Sequence, residues 1–148
     1  MTVGLYRLPE LVAQTRIILT EGEKSADRLA VLDLVTTCPP NGASSWDDTW
    51  SADLWAMGCR ELIVLADNDQ AGRTHAERVA ASWLAVTGQA DIEGRSRGTV
   101  KIIVLPGAAG SDVVDWLDAG HDLDTLLALL GNAPNWNPET AAQTRLER

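Results

Sequence analysis

The run Glu61 to Ala66 (ELIVLA) constrains this chain more than any other feature. Leu62 to Ala66 are apolar without a break, and the run stops at Asp67-Asn68-Asp69. A strand with one wet face alternates polar and apolar residues, whereas a strand apolar at successive positions is buried on both faces. Such burial is what helices packed on both sides of a parallel sheet provide. Val100 to Leu105 (VKIIVL) has a similar pattern and closes at Pro106-Gly107. A shorter β-branched run, Arg16 to Thr20 (RIILT), ends at Glu21-Gly22.

Helical periods separate these strands. Ala26, Leu29, Ala30 and Val31 recur at helical spacing within Glu23 to Leu34, and Ala76, Val79, Ala80 and Trp83 do so from about Ala71 to Val86. Leu34 to Thr37 (LVTT) predicts another strand, stopped by Pro39, Pro40 and the turn pair Asn41-Gly42. Residues 43–60 read as a loop followed by a short helix from Trp50 to Met57, and 88–98 as a surface loop. Two more short helices are expected at Asp112 to Asp118 and Leu123 to Leu130. This alternation predicts an α/β fold, a compact sandwich of about four mainly parallel strands flanked by helices. The length of 148 residues fits one domain, read as 1–131, with 132–148 as a polar tail or linker.

No stretch approaches the roughly 20 apolar residues of a membrane span. The start, MTVGLYRLPELVAQ, lacks the basic region and apolar run of a secretory signal, so a cytoplasmic protein without a membrane partner is expected. Cys38 and Cys59 are far apart, form no CxxC pair and are joined by only two histidines, His75 and His121, which argues against a structural zinc site. Trp83 and Trp116 fall on apolar helix faces and are expected in the core. Trp46, Trp50 and Trp55 cluster near a loop, where they either pack it onto the sheet or stack bases.

In parallel sheets, sites form outside the carboxyl ends of the strands. Glu21 directly follows the first strand, Asp67 and Asp69 follow the third, and Asp112 lies a short loop beyond the last. Three distant segments thus bring carboxylates to one sheet edge, where they repel one another unless a cation or proton intervenes. Carboxylate oxygens suit Mg²⁺ or Mn²⁺. Each acid also has an ordinary structural role: Glu21 beside a helix N-terminus, Asp112 as an N-cap, and Asp67-Asn68-Asp69 as an Asx-rich turn.

The net charge of −9 is the opposite of the basic face of a free-standing nucleic-acid binder. Two arrangements reconcile it with nucleic-acid chemistry. Bound cations invert the field of the acids, and the surface that grips DNA belongs to other domains or subunits.

Glu21-Gly22 after one strand, then Asp67-x-Asp69-x-x-Gly72 after a later one, resemble the paired signature of the toprim domain. The strings LYRLPEL, ILTEGEKSADRL, CPPNGASSW, VLADNDQAGRTHAERVA and VLPGAAGSDVVDWLDAG are similar to toprim modules of bacteriophage and mobile-element primases and primase-helicases. The match runs from about Leu5 to Gly120. The resemblance implies the toprim fold, a Rossmann-like α/β unit. It further implies Glu21 as general acid/base or metal ligand, Asp67 and Asp69 as Mg²⁺ or Mn²⁺ ligands, and Asp112 assisting through water. Gly22 and Gly72 would permit close backbone approach or tight turns. Lys24 and Arg73 lie close to these acids in sequence and either contact phosphates or nucleic acid or are solvated cations on a helix surface. Many primase relatives carry an acid four residues after the glutamate; here Ser25 stands there, with Asp27 two residues on.

The function so implied is metal-dependent nucleotidyl transfer by the catalytic module of a DNA primase. Its partners would be a single-stranded DNA template, nucleotides, and other domains or subunits of a replication protein (helicase or zinc-binding module). A toprim nuclease, using water as nucleophile, and a non-catalytic metal-binding interaction module are the alternatives. A DxDxT phosphatase is excluded because Ala71 stands where the threonine belongs. A response-regulator receiver is excluded because the fourth strand ends in Leu105-Pro106 rather than in a hydroxyl residue.

Overall fold

The computed structural model describes residues 4–40, 45–89, 97–139 and 141. Four strands, β1 (Arg16–Leu19), β2 (Thr36–Thr37), β3 (Glu61–Ala66) and β4 (Thr99–Val104), form one sheet in the order β2-β1-β3-β4. All three pairings are parallel, with Leu19 opposite Val64 and Val64 opposite Ile102.

The apolar runs fill both faces, as their lack of alternation requires. Ile17, Leu19, Leu62, Val64 and Val100 point to one side, under α3 (Asp48–Met57) and α4 (Gln70–Gln89). Ile18, Ile63, Leu65 and Ile103 point to the other, with residues of α2 (Glu23–Ala30), α5 (Val113–Asp118) and α6 (Leu123–Asn132). Trp83 is fully buried in the first layer and Trp116 is buried in the second. Trp46, Trp50 and Trp55 all pack against the first layer, Trp46 edge-on to Trp50 and Trp55 edge-on to Trp83. The loop-packing role expected for them is the one the structure shows.

Several boundaries move for local reasons. The helix expected from Trp50 starts at Asp48, because Asp47 caps it by accepting the Thr49 N–H. The strand expected over Leu34 to Thr37 shrinks to Thr36–Thr37, and the helix expected to reach Leu34 stops at Ala30. The short α1 (Leu8–Leu11) has no counterpart in the sequence reading; one turn with proline at its start is too short to show a period. The Asn41-Gly42 turn, most of the 88–98 loop and residues 142–148 lie outside the described residues. Within the expected tail, the Trp136 N–H donates to Val100 O at 2.7 Å and its ring packs on the first layer. Among the described residues no helix is long and apolar enough to cross a membrane.

The sheet order places a topological switch between β1 and β3. From β1 the chain leaves through α2 toward β2 on one side; from β3 it leaves through α4 toward β4 on the other. The crevice opens where those connections diverge, at the carboxyl ends of the two central strands.

Candidate active site

Glu21 and Asp67 stand at that crevice. Glu21 Oε2 accepts the Asp67 backbone N–H at 2.5 Å, joining the ends of β1 and β3 directly. Gly72, in the first turn of α4, makes this contact sterically feasible. A Cβ there would lie 2.5 Å from Asp67 O and 2.8 Å from Glu21 Oε2. The close-approach role expected of Gly72 thus has a geometric basis. Gly22 differs: its backbone is extended at φ −143°, and a Cβ would meet nothing within 4 Å. Within the chain itself, neither a left-handed turn nor a close contact calls for glycine at position 22.

Asp69 and Asp112 arrive as helix caps. Asp69 Oδ1 accepts the Gly72 N–H at 2.6 Å, and Asp112 Oδ1 accepts the Asp115 N–H at 2.9 Å within a capping box that Asp115 closes. Both structural roles anticipated for acids here are therefore real, and they fix one oxygen of each carboxylate. Oδ2 of each takes no part in its cap.

The four acids act on one another electrostatically. Burial pushes the Asp67 carboxyl up to about 7, helped by the charges of Glu21, Asp112 and Asp69. Glu21 is also raised, chiefly by burial and further by Asp69 and Asp112, while its bond from the Asp67 N–H pulls the other way. Repulsion of this kind is relieved by a proton or a cation.

Does the donor set fit a divalent ion? Every donor is a hard oxygen, and Asp67 is held in a state that a cation would stabilise. Among the described residues, however, no group of three or more His, Cys, Asp or Glu side chains is arranged to hold a metal as it stands. Mg²⁺ ordinarily takes one or two carboxylates, its remaining positions going to water and substrate phosphates. The acids fit that mode, and they do not form a closed protein cage.

Asn68, the residue between the two aspartates, organises the site. Its N–H donates to Ser111 O at 2.8 Å, and its carbonyl accepts from the Gly110 N–H at 2.7 Å. Its Nδ2 donates to Gly107 O at 3.0 Å. Asn68 thereby holds the 107–111 loop, and so Asp112, against the end of β3. Its Oδ1 accepts from Arg73 Nη2 at 2.8 Å, so Arg73 is committed to this brace rather than to an acid. Lys24 is exposed at the start of α2. Ser25 is buried, and Asp27 is engaged by the Tyr6 hydroxyl at 2.8 Å and Arg7 Nη1 at 3.1 Å, away from any ligand role.

No family model matches the chain, and no curated protein matches it in sequence. Solved structures match it in fold. The zinc-binding and RNA polymerase domains of the Aquifex aeolicus primase align over 90% of this chain and 29% of theirs, with TM-score 0.70 and 20% identity. A DNA primase domain from Pseudomonas aeruginosa aligns over 91% of this chain and 39% of its own, with TM-score 0.69 and 22% identity. The DnaG catalytic core aligns over 83% and 36%, with TM-score 0.62 and 21% identity. The four-stranded parallel sheet with its flanking helices is thus the toprim fold of primase domains. The chain spans less than two-fifths of each of those structures.

Proposed function

We propose that the chain is the catalytic toprim module of a DNA primase, akin to bacteriophage and mobile-element primases, working with other domains or subunits of a replication protein. One observation carries the reading: three separate turns bring Glu21, Asp67, Asp69 and Asp112 to the switch point between β1 and β3, where no cation of the chain pairs with them among the described residues. Asp67 and Asp69 would hold Mg²⁺ or Mn²⁺, with Glu21 and Asp112 close enough to assist through water. The chemistry such an ion supplies is polarisation of a 3′-hydroxyl and neutralisation of charge on the leaving pyrophosphate. Glu21, raised by burial, is suited to take up or return a proton of the attacking hydroxyl. Lys24 and Arg73 flank the crevice and would meet phosphates, Arg73 by leaving Asn68.

Glu21→Gln tests this, because a glutamine oxygen can still accept the Asp67 N–H and so keeps the β1–β3 junction. Primer synthesis on single-stranded DNA, measured in the protein as it occurs, should fall at least a hundredfold with an unchanged fold. A yield within about threefold of wild type removes Glu21 from the mechanism. The capping bonds of Asp69 and Asp112 favour one second reading, a metal-binding module without turnover. Retained metal binding with no synthesis in the wild-type protein would select it.

A further inference from the structure

A groove of about 430 Å³ is formed by the 106–111 loop, which runs up to Asp112, and by Asp115, Trp116, Ala119 and His121 beyond it. One wall is the loop that Asn68 holds against β3, and Ser111, next to Asp112, lines it. The opposite wall carries Trp116 and His121, stacked in parallel with centroids 4.4 Å apart and planes 11° apart. Trp116 is 4% exposed and its indole nitrogen has no hydrogen-bond partner among the described residues. His121 is exposed, so the stack presents an aromatic face to the groove on a buried support. Loop residues Gly107, Ala108, Ala109 and Gly110 carry little or no side chain, leaving space above that face.

We propose that this groove receives the base of a nucleotide whose phosphates lie at the carboxylates, with the base stacked on His121. The inference rests on the metal-dependent reading above and adds where the nucleotide is gripped. Stacking suits the groove because every base has a π-face and an aromatic platform holds it with little sequence preference. It also gives an acidic chain a way to hold a nucleotide apart from cationic contacts to its phosphates.

Titration calorimetry with Mg²⁺ separates the two parts, using ATP and inorganic tripolyphosphate, which has the phosphates without ribose or base; the His121 variants then isolate the base from the ribose. Wild type should bind ATP at least about fivefold more tightly than tripolyphosphate, the low end of what one stacked base contributes. His121→Ala should erase that preference and leave tripolyphosphate binding unchanged, and His121→Phe should keep it. Equal affinity of wild type for the two ligands overturns the proposal, as does an undiminished ATP preference in His121→Ala. Dependence on His121 seen only with single-stranded oligonucleotide would overturn it too, assigning the groove to template. If neither phosphate ligand binds but adenosine still shifts the His121 ring resonances in wild type, the base site stands and the metal reading fails. Absence of both signals overturns both.

Discussion

The two edges of the sheet treat acids in opposite ways. At the amino edge Glu61 begins β3, and Arg16 and Lys101 reach its carboxylate at 3.1 and 3.9 Å. At the carboxyl edge four acids converge and none joins a described ion pair. The helix caps sharpen the contrast. Asp47 and Asp122 are held below the usual carboxylate range by the threonine groups that donate to them, whereas Asp67 is pushed up to about 7. One residue type thus serves stability where donors meet it. At the switch point, where donors are few and neighbours are negative, it is left with unmet charge.

The largest expected effect concerns the packing that brings Glu21 and Asp67 together. Gly72→Ala would put a methyl group 2.5 Å from the Asp67 carbonyl oxygen, which is backbone and yields little. A loss of about 2–3 kcal/mol is expected, of the size of overpacking, measured by urea denaturation. Gly22→Ala, at the N-cap of α2 with no atom close enough to clash, should cost only about 1 kcal/mol or less. Equal losses at the two glycines would show that the crevice imposes no special closeness.

Asn68→Ala comes next. It removes bonds to Gly107 O and from Arg73, at a cost of about 1–2 kcal/mol. Its sharper consequence is a weakened Mg²⁺ response, because the loop leading to Asp112 loses its side-chain tie to Gly107 and keeps only the backbone bonds of Asn68 to residues 110 and 111. An unaltered Mg²⁺ response would make Asn68 a purely structural residue.

Metal binding itself should give a shift of similar size. A dissociation constant of about 1 mM and about 10 mM Mg²⁺ stabilise a native-only site by roughly 1.4 kcal/mol, or about 3–6 °C in melting temperature. Asp67→Asn should raise the melting temperature in EDTA by relieving repulsion and should erase most of the Mg²⁺-dependent rise. If wild type shows no shift with Mg²⁺ or Mn²⁺ and the variant melts lower, the carboxyl edge is as structural as the amino edge.

The pH dependence follows from the same residue. Between the usual 3.8 and about 7 the native chain keeps a proton on Asp67 that the unfolded chain has lost. Native stability from this group is therefore present at acid pH, declines as pH rises through that window, and levels off above about 7. Melts in EDTA from pH 5 to 8 should show the decline in wild type and a flatter profile in Asp67→Asn; parallel profiles would remove Asp67 as its source. Smallest of all should be Arg16→Ala at the amino edge. Its exposed pair with Glu61 contributes less than about 1 kcal/mol, fades with salt, and leaves the Mg²⁺ response untouched.

The contrast also shows what a sequence can carry. β3 is readable to the residue because burial on both faces leaves an unbroken apolar run, and the places of Glu21, Asp67 and Asp112 follow from strand ends alone. Asn68 was not readable as a brace, since its partners lie about 40 positions away in a glycine-rich loop whose conformation only the fold defines. Gly22 and Gly72 look alike in sequence, and only the neighbouring atoms distinguish them. The stack of His121 on Trp116 was hidden similarly: one ring belongs to a helix and the other to the turn after it. Trp136 stood in a polar stretch with no period to announce its docking on β4.

The pairing of Leu19 with Val64 has a kinetic consequence. The crevice exists only once β1 and β3 are side by side, and that contact closes a loop of some 45 residues containing β2 and α3. Long-range parallel pairing of this kind is slow, because the entropy of loop closure is lost before the contacts compensate for it. The acids thus remain scattered along the chain through most of folding and meet near the end. A cation drawn to them meets a site that barely exists before the native state does. Its influence should therefore fall on the unfolding arm of the chevron, lengthening the native lifetime while the refolding rate stays nearly constant.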